Sequence, residues 1–128
     1  MQRGLILGKI PTILFVDDDH TVINTLKDII TENMSCNLIT TDNPDDALKV
    51  LKKSKSLFPF KKNKIDCIIV DFKMPKMSGF ELIRKWRMEE NKHHIPAILL
   101  TAYEDEDKWK SILNLDLYIV EYLKKPIK

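Results

Sequence analysis

Cysteine is scarce: of 128 residues, only Cys36 and Cys67 carry a thiol. Both sit in or beside apolar runs, with no CxxC and no His/Cys ligand spacing. That pattern supports neither a zinc site nor a disulfide framework and suits reduced core residues in a cytosolic protein. No apolar run approaches the roughly 20 residues that a membrane-spanning helix needs. Residues 1–10 also lack the long apolar core and small-residue cleavage pattern of a signal peptide, so a cytoplasmic location is expected. Internal repeats and low-complexity tracts are missing too. Charge of one sign is not in excess, because 21 basic and 19 acidic residues leave a net +2. The whole chain is therefore no obvious polyanion binder, and any nucleic-acid contact would have to be regional. What remains is a chain of 44% hydrophobic composition, the right size for one compact core.

Short β-rich runs alternate with segments of helical period along that chain. The strands are expected at Thr12 to Val16, Cys36 to Thr40, Ile65 to Val70, Pro96 to Leu100 and Tyr118 to Leu123. Between them, Val22, Ile23, Leu26, Ile29 and Ile30 form one helical stripe, and Ala47, Val50 and Leu51 form a second. A third helix is predicted from Ser78, where SGFE spells a capping box with Glu81 ahead of Leu82, Ile83 and Trp86. A fourth follows the acidic turn Glu104 to Asp107, with Trp109, Ile112 and Leu113 as its apolar positions. Such alternation predicts an α/β fold with a parallel sheet covered on both faces. Lys52 to Lys64, with six lysines around Phe58, Pro59 and Phe60, reads as an elongated loop. The chain reaches Lys128 directly after the fifth strand, so the helix that would cover that flank is expected to be lacking.

In a sheet of this kind, ligands collect outside the carboxyl ends of the strands, where strand order reverses. Asp17 and Asp18 end the first strand, Asp71 the third and Thr101 the fourth, and Lys125 follows the fifth. If the first and third strands are neighbours, three carboxylates crowd together and repel unless a cation intervenes. Carboxylate and carbonyl oxygens without His or Cys favour a hard ion, Mg²⁺ above all, and such a site also organises phosphate.

Four motifs in order, FVDDD, IIVDFKMPKMSGFEL, PAILLTAYED and YLKKP, resemble the receiver domains of bacterial two-component response regulators. The resemblance covers residues 12 to 126, and DxxMPxMSG is its most specific element. It implies a flavodoxin-like, doubly wound, five-stranded sheet of order 2-1-3-4-5. It divides the chain into an N-terminal extension, 1–11, and a C-terminally truncated receiver domain, 12–128, without an output domain. It implies that Asp71 accepts the phosphoryl group, that Asp17 and Asp18 hold Mg²⁺ with Asp71, and that the backbone carbonyl of Lys73 is a further ligand. Thr101 would be the switch hydroxyl, Lys125 the lysine that pairs with the phosphoryl group, and Tyr122 the switch aromatic. On this resemblance the chain is a regulatory phosphoacceptor and not an enzyme, catalysing only its own phosphorylation and dephosphorylation. The implied partners are a histidine kinase or histidine phosphotransfer protein, with an output domain or a homodimer as options, no membrane and no direct nucleic-acid binding. Three features depart from the family: the cationic Lys73, the bulky Tyr103 two beyond Thr101, and LNLDLYIVEY, which lacks the usual Gly-Ala turn. The first two bear on phosphate lifetime and the third on the output face.

Other readings of the same residues exist. Asp19 suits an N-cap, since a triple run needs only one. Asp17 to Thr21 also spells DxDxT, the nucleophile motif of haloacid-dehalogenase-type phosphatases, with Asp17 as nucleophile and Asp19 as acid/base. That reading leaves Asp71 and the MPKMSG loop without a job and finds no acidic pair after the lysine. A pseudo-receiver acting only as an interaction module lacks support, because every expected polar residue is present. His93 and His94 read as loop residues before Ile95-Pro96, the lysine-rich loop as a solvated insertion, and Met74 and Met77 as packing residues.

Overall fold

The computed structural model describes residues 10–53, 65–90 and 95–101, and the backbone course of 119–124. Its elements alternate as expected: β1 (Thr12–Val16), α1 (His20–Asn33), β2 (Asn37–Thr41), α2 (Pro44–Lys53), β3 (Cys67–Asp71), α3 (Gly79–Glu90), β4 (Ala97–Thr101) and β5 (Ile119–Lys124). All strands are parallel, in the order β2-β1-β3-β4-β5, so the chain winds one way from β1 to β2 and the other way from β1 to β3. This is the order expected from the sequence. β1 ends at Val16 as expected, whereas the other four strands end one residue later than their apolar runs suggest, because the ladders continue through polar positions: Val16 pairs with Thr41, Asp71 with Leu100 and Thr101 with Lys124.

Alternate residues of each strand feed two cores, as the twofold strand period requires. Leu14 and Val16 pack with Ile68, Val70, Leu99 and the inner faces of α2 and α3. Ile13 and Phe15 pack with Ile69, Leu100 and, from α1, Ile23 and Leu26. Both faces of the central strands are thus closed to water, which explains why those strands are continuous apolar runs. Each fully buried side chain of this kind contributes about 1.5–3 kcal/mol. Cys36 and Cys67 are free thiols, half-buried at the margin of the α1-side core rather than deep within it. Burial raises both thiol pKa values, Asp66 adding to the effect at Cys67, so the neutral thiol is favoured.

Helix starts follow the local chemistry. Asp19 caps α1, its carboxylate accepting from the Thr21 and Val22 N–H groups. Asn43 caps α2 by accepting from Asp46 N–H at 2.8 Å, with Pro44 in the first turn. The predicted capping box opens α3, Glu81 N–H donating to Ser78 Oγ at 3.1 Å and Ser78 N–H to Glu81 Oε1 at 2.9 Å. Further along α3, Trp86 and Arg87 are both fully buried, the guanidinium lying 5.2 Å from the indole centroid. No helix among the described residues is long and apolar enough to cross a membrane. Residues 104–113, the expected fourth helix, lie outside the described residues, as do His93, His94 and residues 54–64 of the lysine-rich loop.

On α3 the inner and outer faces should respond very differently to truncation. Trp86→Ala is expected to cost about 3–5 kcal/mol in urea unfolding. Met88→Ala, at a position 70% exposed, should stay within about 0.5 kcal/mol of wild type.

Candidate functional site

The β1–β3 ladder pairs Val16 with Val70, so the next residues of the two strands, Asp17 and Asp71, stand side by side at the carboxyl end of the sheet. Asp17 is fully buried and Asp71 only 4% exposed, whereas Asp18 faces solvent. One carboxylate oxygen from each of Asp17, Asp18 and Asp71 lies within 4.8 Å of the others. Asp17 is held by its backbone, whose N–H donates to the Thr41 carbonyl, and by its Oδ1, which accepts from Asp19 N–H at 2.9 Å.

Two negative groups withdrawn from water with a third beside them form an unfavourable arrangement that a cation relieves. The donors are all hard oxygens, with no imidazole or thiolate among them, and they fit Mg²⁺ in both chemistry and number, leaving room for water ligands. Lys73 stands exposed two residues beyond Asp71, at the rim of the same corner.

Past Asp71 the chain is tied down at two points. Phe72 N–H continues the ladder by donating to the Leu100 carbonyl at 2.7 Å, and Gly79 N–H returns to the Phe72 carbonyl at 2.8 Å. Between them the loop turns through Lys76, whose φ of 72° is a left-handed conformation. Gly79 is a site residue that motif reading leaves without a task. A Cβ there would collide with the Asp71 carbonyl oxygen, so the absence of a side chain lets the helix start sit against the backbone of the acid. The sequence signal is a glycine opening a helix soon after a strand-end aspartate.

Thr101 ends β4, next to Leu100, the ladder partner of Asp71. It is fully buried, and its hydroxyl has no hydrogen-bond partner among the described residues. A buried hydroxyl without a partner costs about 1–3 kcal/mol. Of Tyr122 the structure places the backbone, paired with Leu99. Lys125 and Tyr103 lie outside the described residues. Asp19 is engaged as the α1 cap, which leaves it poorly disposed for the acid/base role of the phosphatase reading.

On the outer side of this rim, His20 Nε2 and Asp42 Oδ2 meet at 2.9 Å, joining the start of α1 to the loop after β2. Hydrogen bonds from Asn43, and next from His20, hold the Asp42 carboxyl below its ordinary pKa. The associated stability is present above the ordinary carboxylate range and fades as pH falls through the lowered value.

Residues 13–128 match the family model described as the response regulator receiver domain. The chain is 32% identical over 114 residues to the transcriptional regulatory protein CpxR of Escherichia coli, an alignment that covers 89% of this chain and 42% of that protein. It is 32% identical over 97 residues to the chemotaxis protein CheY-3 of Vibrio cholerae, covering 76% of this chain and 68% of the relative. Among solved structures, a response regulator receiver domain protein from Clostridium thermocellum superposes with a TM-score of 0.71 at 28% identity, covering 93% of this chain and 85% of that one. The chain thus spans less than half the length of the transcriptional regulator it matches.

Mg²⁺ titration followed by backbone amide shifts should separate the three consecutive aspartates. Asp17→Asn and Asp18→Asn are expected to weaken binding at least about tenfold, while Asp19→Asn should bind like wild type and lose only about 1 kcal/mol of stability.

Proposed function

Because the chain belongs to the response regulator receiver domain family, whose members are regulatory domains of phosphorylation-dependent two-component signalling, we propose that Asp71 is its phosphoryl acceptor. The observation that carries this reading is the meeting of Asp17, Asp18 and Asp71 within 4.8 Å at the switch point of the sheet, with a buried threonine hydroxyl that has no partner among the described residues at the end of the next strand.

An Asp71 carboxylate oxygen attacks phosphorus in line, a P–O bond forms, and the bond to the donor breaks. With a phosphohistidine donor the broken bond is P–N and the imidazole leaves with its electron pair. Asp17 and Asp18, together with Asp71, would hold the divalent cation, with the Lys73 backbone carbonyl as a further ligand. When bound, Mg²⁺ supplies positive charge against the phosphoryl oxygens. The Lys125 ammonium neutralises another of those oxygens, and the Thr101 hydroxyl donates to the phosphoryl group once it is in place. Satisfying that hydroxyl draws the end of β4 inward, and Tyr122 on the neighbouring strand turns with it. The donor is a histidine kinase or a histidine phosphotransfer protein, and the altered face is read by an output domain or a second copy of the chain. This mechanism makes the chain a switch whose chemistry is confined to gaining and losing its own phosphoryl group.

The direct test is incubation with Mg²⁺ and acetyl phosphate, followed by intact-mass spectrometry. Wild type should gain one hydroxylamine-labile phosphoryl group, Asp71→Asn none, and Asp17→Asn should react about 100-fold more slowly or worse. Failure of wild type to gain the group, or its appearance on Asp71→Asn, defeats the proposal. Lys125→Ala and Thr101→Ala should still accept phosphate but show much smaller amide shift changes around β4 and β5. Shift changes equal to wild type would remove those two residues from the switch.

A further inference from the structure

Away from the carboxylate corner, the loop before α3 and the outer face of that helix enclose a groove of about 450 Å³, lined by Lys76, Met77, Glu81, Arg84, Lys85 and Met88. We propose that this groove docks an acidic, amphipathic helical segment of a partner protein, a role separate from phosphoryl transfer.

Three observations define the occupant. First, the apolar contacts are methionines: Met88 is 70% exposed although Leu82, Ile83 and Trp86 of the same helix are buried, and Met77 is half-buried across the groove. Flexible thioethers at an open surface suit a partner's aliphatic side chains and adapt to their shape. Second, the charge is arranged for a partner of opposite sign. Glu81 already accepts from Ser78 N–H and Lys85 lies 3.2 Å from Glu89, whereas Lys76 and Arg84 form no ion pair among the described residues. Two cations are therefore available at the rim of an apolar floor. Third, Glu81, Arg84 or Lys85, and Met88 recur at helical spacing along one exposed stripe. A second helix lying along that stripe would present its own apolar residues three and four apart.

Other occupants fit less well. A nucleic acid would find no aromatic ring lining the groove on which to stack its bases. A second copy of the chain is the remaining occupant, and self-association in sedimentation tests for it.

The experiment is fluorescence anisotropy in metal-free buffer at low salt, without any phosphoryl donor, so that its result is independent of Asp71 chemistry. The probe is a fluorescein-labelled helical peptide of about 15 residues, with leucines at helical spacing flanked by glutamates. Wild type should bind it in the micromolar range, and less tightly as salt rises. Arg84→Glu should weaken binding about tenfold and Met88→Ser several-fold, both with unchanged thermal melts, and a lysine-flanked version of the peptide should not bind. Equal binding of a scrambled-order peptide, wild-type affinity in both variants, tighter binding of a single-stranded oligonucleotide, or closure of the groove by self-association in sedimentation would each overturn the proposal.

Discussion

Everything at the carboxyl rim depends on the parallel ladder between β1 and β3. Pairing Val16 with Val70 brings the next residues of both strands, Asp17 and Asp71, to one corner. A shift of one residue would turn Asp71 toward the opposite face and separate the acids. The ladder is secured by what lies around it. Leu14, Val16, Ile68 and Val70 are fully buried on the side of α2 and α3, and Phe15 is fully buried on the α1 side. Hydrophobic burial thus holds negative charges closer together than they would choose to stand, and the resulting electrostatic cost is what makes the corner receptive to a cation.

The loop after β3 turns that receptive corner into a site of fixed shape. Its two backbone anchors, Phe72 to Leu100 and Gly79 to Phe72, close the segment against the sheet. The approach of Gly79 to the Asp71 carbonyl leaves no room for any side chain. Meanwhile the buried Thr101 hydroxyl, at the end of the adjacent strand, has no hydrogen-bond partner among the described residues.

Much of this was legible beforehand because it rests on local patterns. The apolar runs of β1, β3 and β4 are continuous because they are buried on both faces, and the SGFE capping box is a matter of residues three apart. Asp19 could be separated from Asp17 and Asp18 because an N-cap is defined by its position relative to the first turn. Strand ends were harder, since Thr41, Asp71 and Thr101 are polar yet remain in the ladder through backbone bonds that carry no side-chain signature. Gly79 was overlooked as a site residue, because the atom it avoids belongs to the backbone of a residue eight positions earlier. The burial of Arg87 was equally hidden, since a charged residue near a helix end ordinarily faces water.

By itself, then, the sequence determined the alternating element order, the helix caps and the residue types at each strand end, because these follow from periodicity and from hydrogen bonds between near neighbours. Only the tertiary structure decided that three of the acids share a corner, that the Thr101 hydroxyl is buried without a partner among the described residues, and that Met77 and Met88 face one groove with Lys76 and Arg84. Those outcomes require segments distant in the chain to meet, and their distances are set by strand register and helix packing rather than by any local preference.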